Sequence, residues 1–286
     1  NCLLEFSNVP CSGKVLVLIQ SIINRYPIEF ISAFSAIVST ILVFLLVIWA
    51  QSLKVEIPLS FGRIRGYAIK WPLSFFYASV IPVILTAALI ANLQLFGGIM
   101  ENAASSCYTG NIEECNGIAK FASYFGFFGK FVQGQPVSGF AFWLGSTNLL
   151  ELIIRGGFRY IYLIQGLTHT LLFMLFSTVF AVFWVKTAGM DAKNQAHKIA
   201  ASGLQVAGFR QDERVLESIL DRYIMPLTVM GGIAIGLLAS ITNLMGALIS
   251  GTAILLVIMI MFQFYQNIAK QHQTDMNPMM KKFMGE

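Results

Sequence analysis

Charge is what this 286-residue chain has least of: 12% of its residues are Asp, Glu, Lys or Arg, against 56% hydrophobic. At a mean hydropathy of +0.71 it carries more apolar surface than a soluble domain of this length buries, which excludes a soluble globular protein and leaves an integral membrane one. Enzyme motifs are also missing. The chain has no G-x-x-x-x-G-K phosphate cradle, no H-E-x-x-H pair and no G-x-S-x-G elbow, so an enzyme is not expected. Serines stand near glycines in "VSGF" (137–140) and "GLLASI" (236–241), but no His or Asp partners them, which favours helix packing over an intramembrane hydrolase. His169, His197 and His272 are far apart and give no zinc-ligand spacing, so no metal and no cofactor are expected. His169 is the one ionisable residue inside an apolar run, too little for a proton or ion pathway.

Cysteine is scarce as well, and its four positions fall in predicted loops: Cys2, Cys11, Cys107 and Cys115. On an oxidising side the simplest pairing is 2 with 11 and 107 with 115; four free thiols are the alternative, and both stay open. No signal-peptide pattern is seen, because residues 1–14 are polar and carry Glu5 and Lys14. The chain opens on Asn1, as expected of an internal or C-terminal piece of a longer polypeptide.

What is present is a set of long uncharged runs: 30–51, 73–100, 161–185 and 224–269. A hydrocarbon core about 30 Å thick takes roughly 20 helical residues, and "NLMGALISGT" (243–252) breaks the last run in two. The expectation is an all-α integral membrane fold with five transmembrane helices, at about 30–51, 73–97, 161–186, 224–246 and 252–270. A further uncharged run, 131–150, contains "QGQPVSG" and "GST", whose Pro and Gly favour a re-entrant or interfacial element.

Basic residues decide the sidedness. With five spans, the loops 52–72 and 187–223, the boundary residue Lys186 and the tail from Lys270 share one side and hold 13 of the 19 lysines and arginines. The positive-inside rule makes that side cytoplasmic. Residues 1–29 and the loop 98–160 are then external, and the tail 271–286 is cytoplasmic. A sixth span over 131–150 would invert the basic loop 187–223, and is rejected. The expected location is a cytoplasmic membrane, crossed several times, with this chain's N-terminus outside and its C-terminus inside.

Two cytoplasmic loops stand out. "IPLSFGRIRG" (57–66) holds Arg63 and Arg65, with Lys54 before and Lys70 after. "DAKNQAHKIAASGLQVAGFRQDERVLESILDRYI" (191–224) contains an amphipathic helix, with Val215 and Ile219 on one face and Arg214, Glu217 and Asp221 on another, preceded by a tip with Gly208 and Arg210. Topology alone places basic residues there, but two protruding basic loops on one face also suit a large anionic partner. Within the spans, Pro82 is expected to interrupt regular hydrogen bonding, and Asn92 and Gln94 are costly in lipid unless they face protein or water.

In their order, these segments resemble the C-terminal half of the SecY family, the channel subunit of the protein translocon, with archaeal members the most similar. The resemblance is carried by "FLLVIWAQSLKVEIPLSFGRIRG", "SFFYASVIPVILTAALIANLQLFG", "SGFAFWLGS", "FAVFWVKTAGMDAKNQAHKIAASGLQVAGFR", "ERVLESILDRYIMPLTVMGG" and "ALISGTAILLVIMIM". Together they cover about residues 30–270 and match helices six to ten, one of the family's two inverted repeats. The resemblance implies a protein-conducting channel that moves polypeptides across the membrane and inserts helices into it. It places Ile84 and Leu256 in an aliphatic pore ring, where large apolar side chains block water and ions yet yield to a passing chain. Asn92 falls on the lateral gate. Arg63, Arg65 and Arg210 fall on the tips that dock the ribosome, with Lys70 beside them. Val80 and Lys186 depart from the family pattern, which often has Asn and Glu there.

The implied partners are the N-terminal SecY half (in the same or a separate chain), SecE-type and small Sec-beta-type subunits, the ribosome, signal-bearing polypeptides and membrane lipid. The alternative is a repeat of a secondary transporter, which also uses broken helices at mid-membrane, but needs a polar substrate site that these spans do not supply.

Overall fold

In the computed structural model, described over residues 13–61, 68–108, 129–132, 135–201, 204–206 and 213–276, five helices are long and apolar enough to cross a membrane. A short first helix, α1 (Lys14–Asn24), ends on Arg25 in the left-handed conformation (φ 56°). Then α2 (Pro27–Ser52) begins with Pro27 in its first turn and Glu29 one turn in. Proline costs nothing where the first N–H groups are unpaired, and the carboxylate suits the positive end of the helix.

A strand pair follows α2. β1 (Lys54–Phe61) and β2 (Ala68–Ser74) are antiparallel, with Lys54 opposite Ser74 and Ser60 opposite Ala68. Next come α3 (Ile81–Tyr108), the two-residue strands β3 (Phe131–Val132) and β4 (Gln135–Pro136), and the short helices α4 (Phe140–Leu144) and α5 (Leu149–Ile154). The third long helix is α6 (Tyr160–Thr187). It leads to α7 (Ala192–Ala201), strand β5 (Leu204–Val206), α8 (Glu213–Leu244) and α9 (Gly251–Met276).

Among the described residues β5 pairs antiparallel with β1 at Leu59–Phe61, giving the order β2-β1-β5. This sheet was not expected from the sequence, which reads both segments as loops.

Three other expectations are revised. The span placed at 73–97 starts at Ile81, because residues 68–74 are strand and 75–80 a buried turn, and the helix runs on to Tyr108. Pro82 does not interrupt this helix but lies in its first turn, where its missing N–H goes unused. Ser79 takes φ 63° just ahead of it, and Val83 and Ile84 both donate to the Val80 carbonyl, at 3.1 and 3.3 Å. The amphipathic helix and the span placed at 224–246 are one helix, α8, with Pro226 inside it. Leu216, Leu220 and Ile224 bury one side of its first turns against α7 and the end of α6, which fixes its course through the proline.

Two clusters hold the bundle together. One draws Val47 of α2, Val83 and Ile90 of α3, Leu144 of α4, Phe173 of α6, Ile235 of α8 and Leu255 of α9 into a single core. The other joins the turn before α3 to α6, α7 and α8. α6 and α8 pack through small residues: Ser177 Oγ donates to the Gly232 carbonyl at 3.0 Å, and the Thr170 and Ser240 hydroxyls are 2.8 Å apart. Such contacts let helix backbones approach where lipid removes the hydrophobic drive for association. The outward sides of α2 and α6 expose Phe34, Leu45, Leu167 and Leu171.

Candidate pore face and loop sheet

Residues Ile84, Ala87, Ala91 and Gln94 of α3 are spaced three, four and three apart, so they share one side of the helix. Its neighbour Val83 is fully buried in the core, but Ile84 is 38% exposed. Leu256 packs partly buried against the same core, next to Leu255. The structure thus ties the helices of the two expected ring residues through one cluster and turns Ile84 outward from it. Asn92 is exposed on α3, away from the buried Ile90.

Ala87, Ala91 and Gln94 line a cavity of about 690 Å³ whose other wall includes Gln165, His169 and Asn243. Gln165 and His169, one turn apart on α6, are 4% and 3% exposed. The Gln165 side-chain amide donates to the Phe142 carbonyl at 2.7 Å, and His169 Nδ1 lies 2.8 Å from the Leu144 carbonyl. A carbonyl only accepts, so the imidazole carries its proton on Nδ1. These two side chains thus bond carbonyls in the last turn of α4, that of Phe142 shared with the Gly145 N–H at 3.1 Å, and pin the 140–154 segment to α6. His169 was noticed in the sequence for its charge; Gln165 was missed. The signal was there, since two polar residues four apart in an apolar run share one helix face. Among the described residues, 131–154 hold no element near the length of a span.

At the other end, the Tyr77 hydroxyl donates to the Met190 carbonyl at 2.6 Å. Burial, with the Asp191 carboxylate adding to it, pushes its pKa up to about 12. The pairing of β5 with β1 joins the hairpin 54–74 to the segment ahead of α8, so the two basic loops form one substructure. Lys70 lies in β2 opposite Pro58. Arg63, Arg65 and Arg210, and Cys2, Cys11 and Cys115, lie outside the described residues; Cys107 is in the last turn of α3. Among the described residues no group of three or more His, Cys, Asp or Glu is placed to hold a metal ion.

Five apolar helices around a shared core, with short elements ahead of the first and in the connections, define a polytopic helical membrane protein. The SecY family model matches residues 6–265. The protein translocase subunit SecY of Methanocaldococcus jannaschii is 35% identical over 275 residues, covering 96% of this chain and 56% of that protein. The SecY subunit of Methanococcus vannielii is 34% identical over 250 residues, 87% of this chain and 51% of its own length. A solved structure described as a protein conducting channel superposes with a TM-score of 0.68 at 33% identity, covering 92% of this chain and 54% of that one. The chain belongs to the SecY family. It spans about half the length of the curated relatives it matches.

Proposed function

We propose that this chain forms one half of a protein-conducting channel, with Ile84 and Leu256 on the ring that closes around a passing polypeptide. The observation that carries the reading is the exposure of Ile84, with Leu85 beside it, on a helix whose Val83, Thr86 and Ile90 are buried, in a chain of the SecY family. An aliphatic group turned toward the space between two halves gives an apolar constriction with no preference for sequence, which suits a channel for any unfolded chain. Asn92, exposed two turns further along α3, serves as the polar position of the gate through which apolar segments leave for lipid. The β2-β1-β5 sheet presents Lys70, with Arg63, Arg65 and Arg210 on the adjoining segments, to the ribosome. In this reading the sheet side is cytoplasmic, the 131–157 side and residues 1–29 are external, and the other half plus SecE-type and small Sec-beta-type subunits complete the assembly.

The test is photocrosslinking of a stalled translocation intermediate. A photoreactive residue at 84 or 256, in the assembled channel, captures the polypeptide, whereas one at Ile164 on the exposed side of α6 does not. Equal capture at all three positions, or none at 84 and 256, overturns the ring assignment.

A further inference from the structure

The first helix has a side that the bundle does not use. At roughly 100° per residue, Val15, Ile19, Ile22 and Ile23 of α1 fall on one stripe, and all four are exposed, Ile22 by 60% and Ile23 by 66%. Another sector, with the buried Ser21, meets α2. The polar Gln20 and Asn24 fall on a third sector. A short helix with an apolar stripe, a polar sector and one flank fixed to a spanning helix has the makeup of an element lying in a membrane interface.

Three observations identify what covers the stripe. It continues into the exposed apolar residues of α2, Ile28, Ile31 and Phe34, so its neighbour is the medium that surrounds the span. The α1–α2 corner forms a groove of about 360 Å³ lined by Ser21, Ile22, Arg25, Tyr26, Pro27 and Phe30. Arg25, held there by its left-handed backbone, makes no ion pair among the described residues. Lys14, at the far end of the helix, is committed to Glu151 at 3.6 Å, which also puts α1 at the same end of the bundle as α5. A guanidinium above an apolar groove matches a phosphate above an acyl chain.

We propose that α1 lies in the membrane interface with its stripe against lipid, and that the α1–α2 groove seats one phospholipid, its acyl chain along Ile22 and Phe30 and its phosphate on Arg25. The inference needs the membrane placement of α2 but not the passage of polypeptides, so the channel reading can fail without it.

The test uses the full polypeptide carrying this sequence, in the membranes where it is made. Benzoylphenylalanine at Ile23 is irradiated and the adducts weighed, with Ile164 as a lipid-facing control and Asn24 as a polar one. Phospholipid adducts at 23, matching those at 164 and several-fold above those at 24, are expected. Adducts with protein at 23, or a yield no higher than at 24 while 164 reacts, overturn the proposal. Native mass spectrometry then compares Arg25→Gln with Arg25→Lys: the first loses co-purifying anionic phospholipid by about threefold or more and the second keeps it, whereas equal retention removes Arg25 from the site.

Discussion

Replacing Gly236 by alanine places a methyl carbon 3.0 Å from both Met174 Cα and Ser177 Cβ across the α6–α8 contact. Carbon atoms in comfortable contact sit about 3.5–4.0 Å apart, and Met174 Cα is backbone, so the helices must part by several tenths of an ångström. Overpacking of this kind costs about 1–3 kcal/mol. Alanine returns up to about 1 kcal/mol through helix propensity. The parting also lengthens the 3.0 Å bond from Ser177 to the Gly232 carbonyl and the 2.8 Å contact between Thr170 and Ser240, interhelical bonds worth about 0.6 kcal/mol each in a membrane. The net expectation is a loss of about 1–3 kcal/mol, or a melting point lower by very roughly 3–10 °C on the scale of 2–4 °C per kcal/mol. The assay is thermal unfolding of the purified protein in detergent, followed by intrinsic fluorescence. Gly98→Ala is the control, because its methyl would lie 3.8 Å from the Phe131 ring, an ordinary contact. Gly98→Ala should leave the melting point unchanged or raise it. If Gly236→Ala melts with the parent, and Gly236→Val does too, the close α6–α8 approach is wrong.

Ile84→Asn or Leu256→Asn in the assembled channel should raise ion leak several-fold in planar-bilayer recordings; unaltered conductance would count against the ring. Reversing charge at Arg65 and Arg210 together should weaken ribosome co-sedimentation by tenfold or more, in a way that steepens with salt, while binding that is unchanged at physiological salt would remove the docking role. Tyr77 has its folded pKa raised to about 12 from an ordinary value near 10, so the neutral phenol favours the folded state. Its contribution is complete below about pH 10 and is lost as pH rises from there toward 12. Tyr77→Phe should therefore flatten the alkaline limb of a stability profile and cost about 1 kcal/mol at neutral pH for the lost bond to Met190; an identical alkaline limb in the two proteins would refute this.

The long spans were legible because hydropathy over some twenty residues is a strong signal. The cores of α2 and α6 contain no Asp, Glu, Lys or Arg between Phe30 and Gln51 or between Ile161 and Val185. The onset of α3 was not, because "SFFYASV" (74–80) is as apolar as a span and yet is buried turn: Phe76, Tyr77 and Ala78 fill the space between α3 and α8. Local pattern cannot separate apolar residues covered by protein from those covered by lipid. The sheet escaped for a different reason. β1 carries Pro58, which argues against a strand, and its second partner, β5, lies about 140 residues further on and is three residues long. The role of Gln165 depended on which backbone carbonyls of α4 would face α6, and that is set only when the two helices meet.

The strand that follows α2 is hydrogen-bonded to the one that precedes α3, and the pairing is extended by a bond from Phe75 N to the Leu53 carbonyl at 3.0 Å. From Ser74 to Ile81 the chain is a packed turn, with Leu73, Phe76, Ala78 and Val80 all buried. The hairpin is therefore the short arm of a lever. A load applied to the paired strands is carried through this turn into the first turn of α3, where Ile84 sits. In the proposed channel, where Ile84 lies on the ring, whatever grips the strands also has a mechanical hold on that ring.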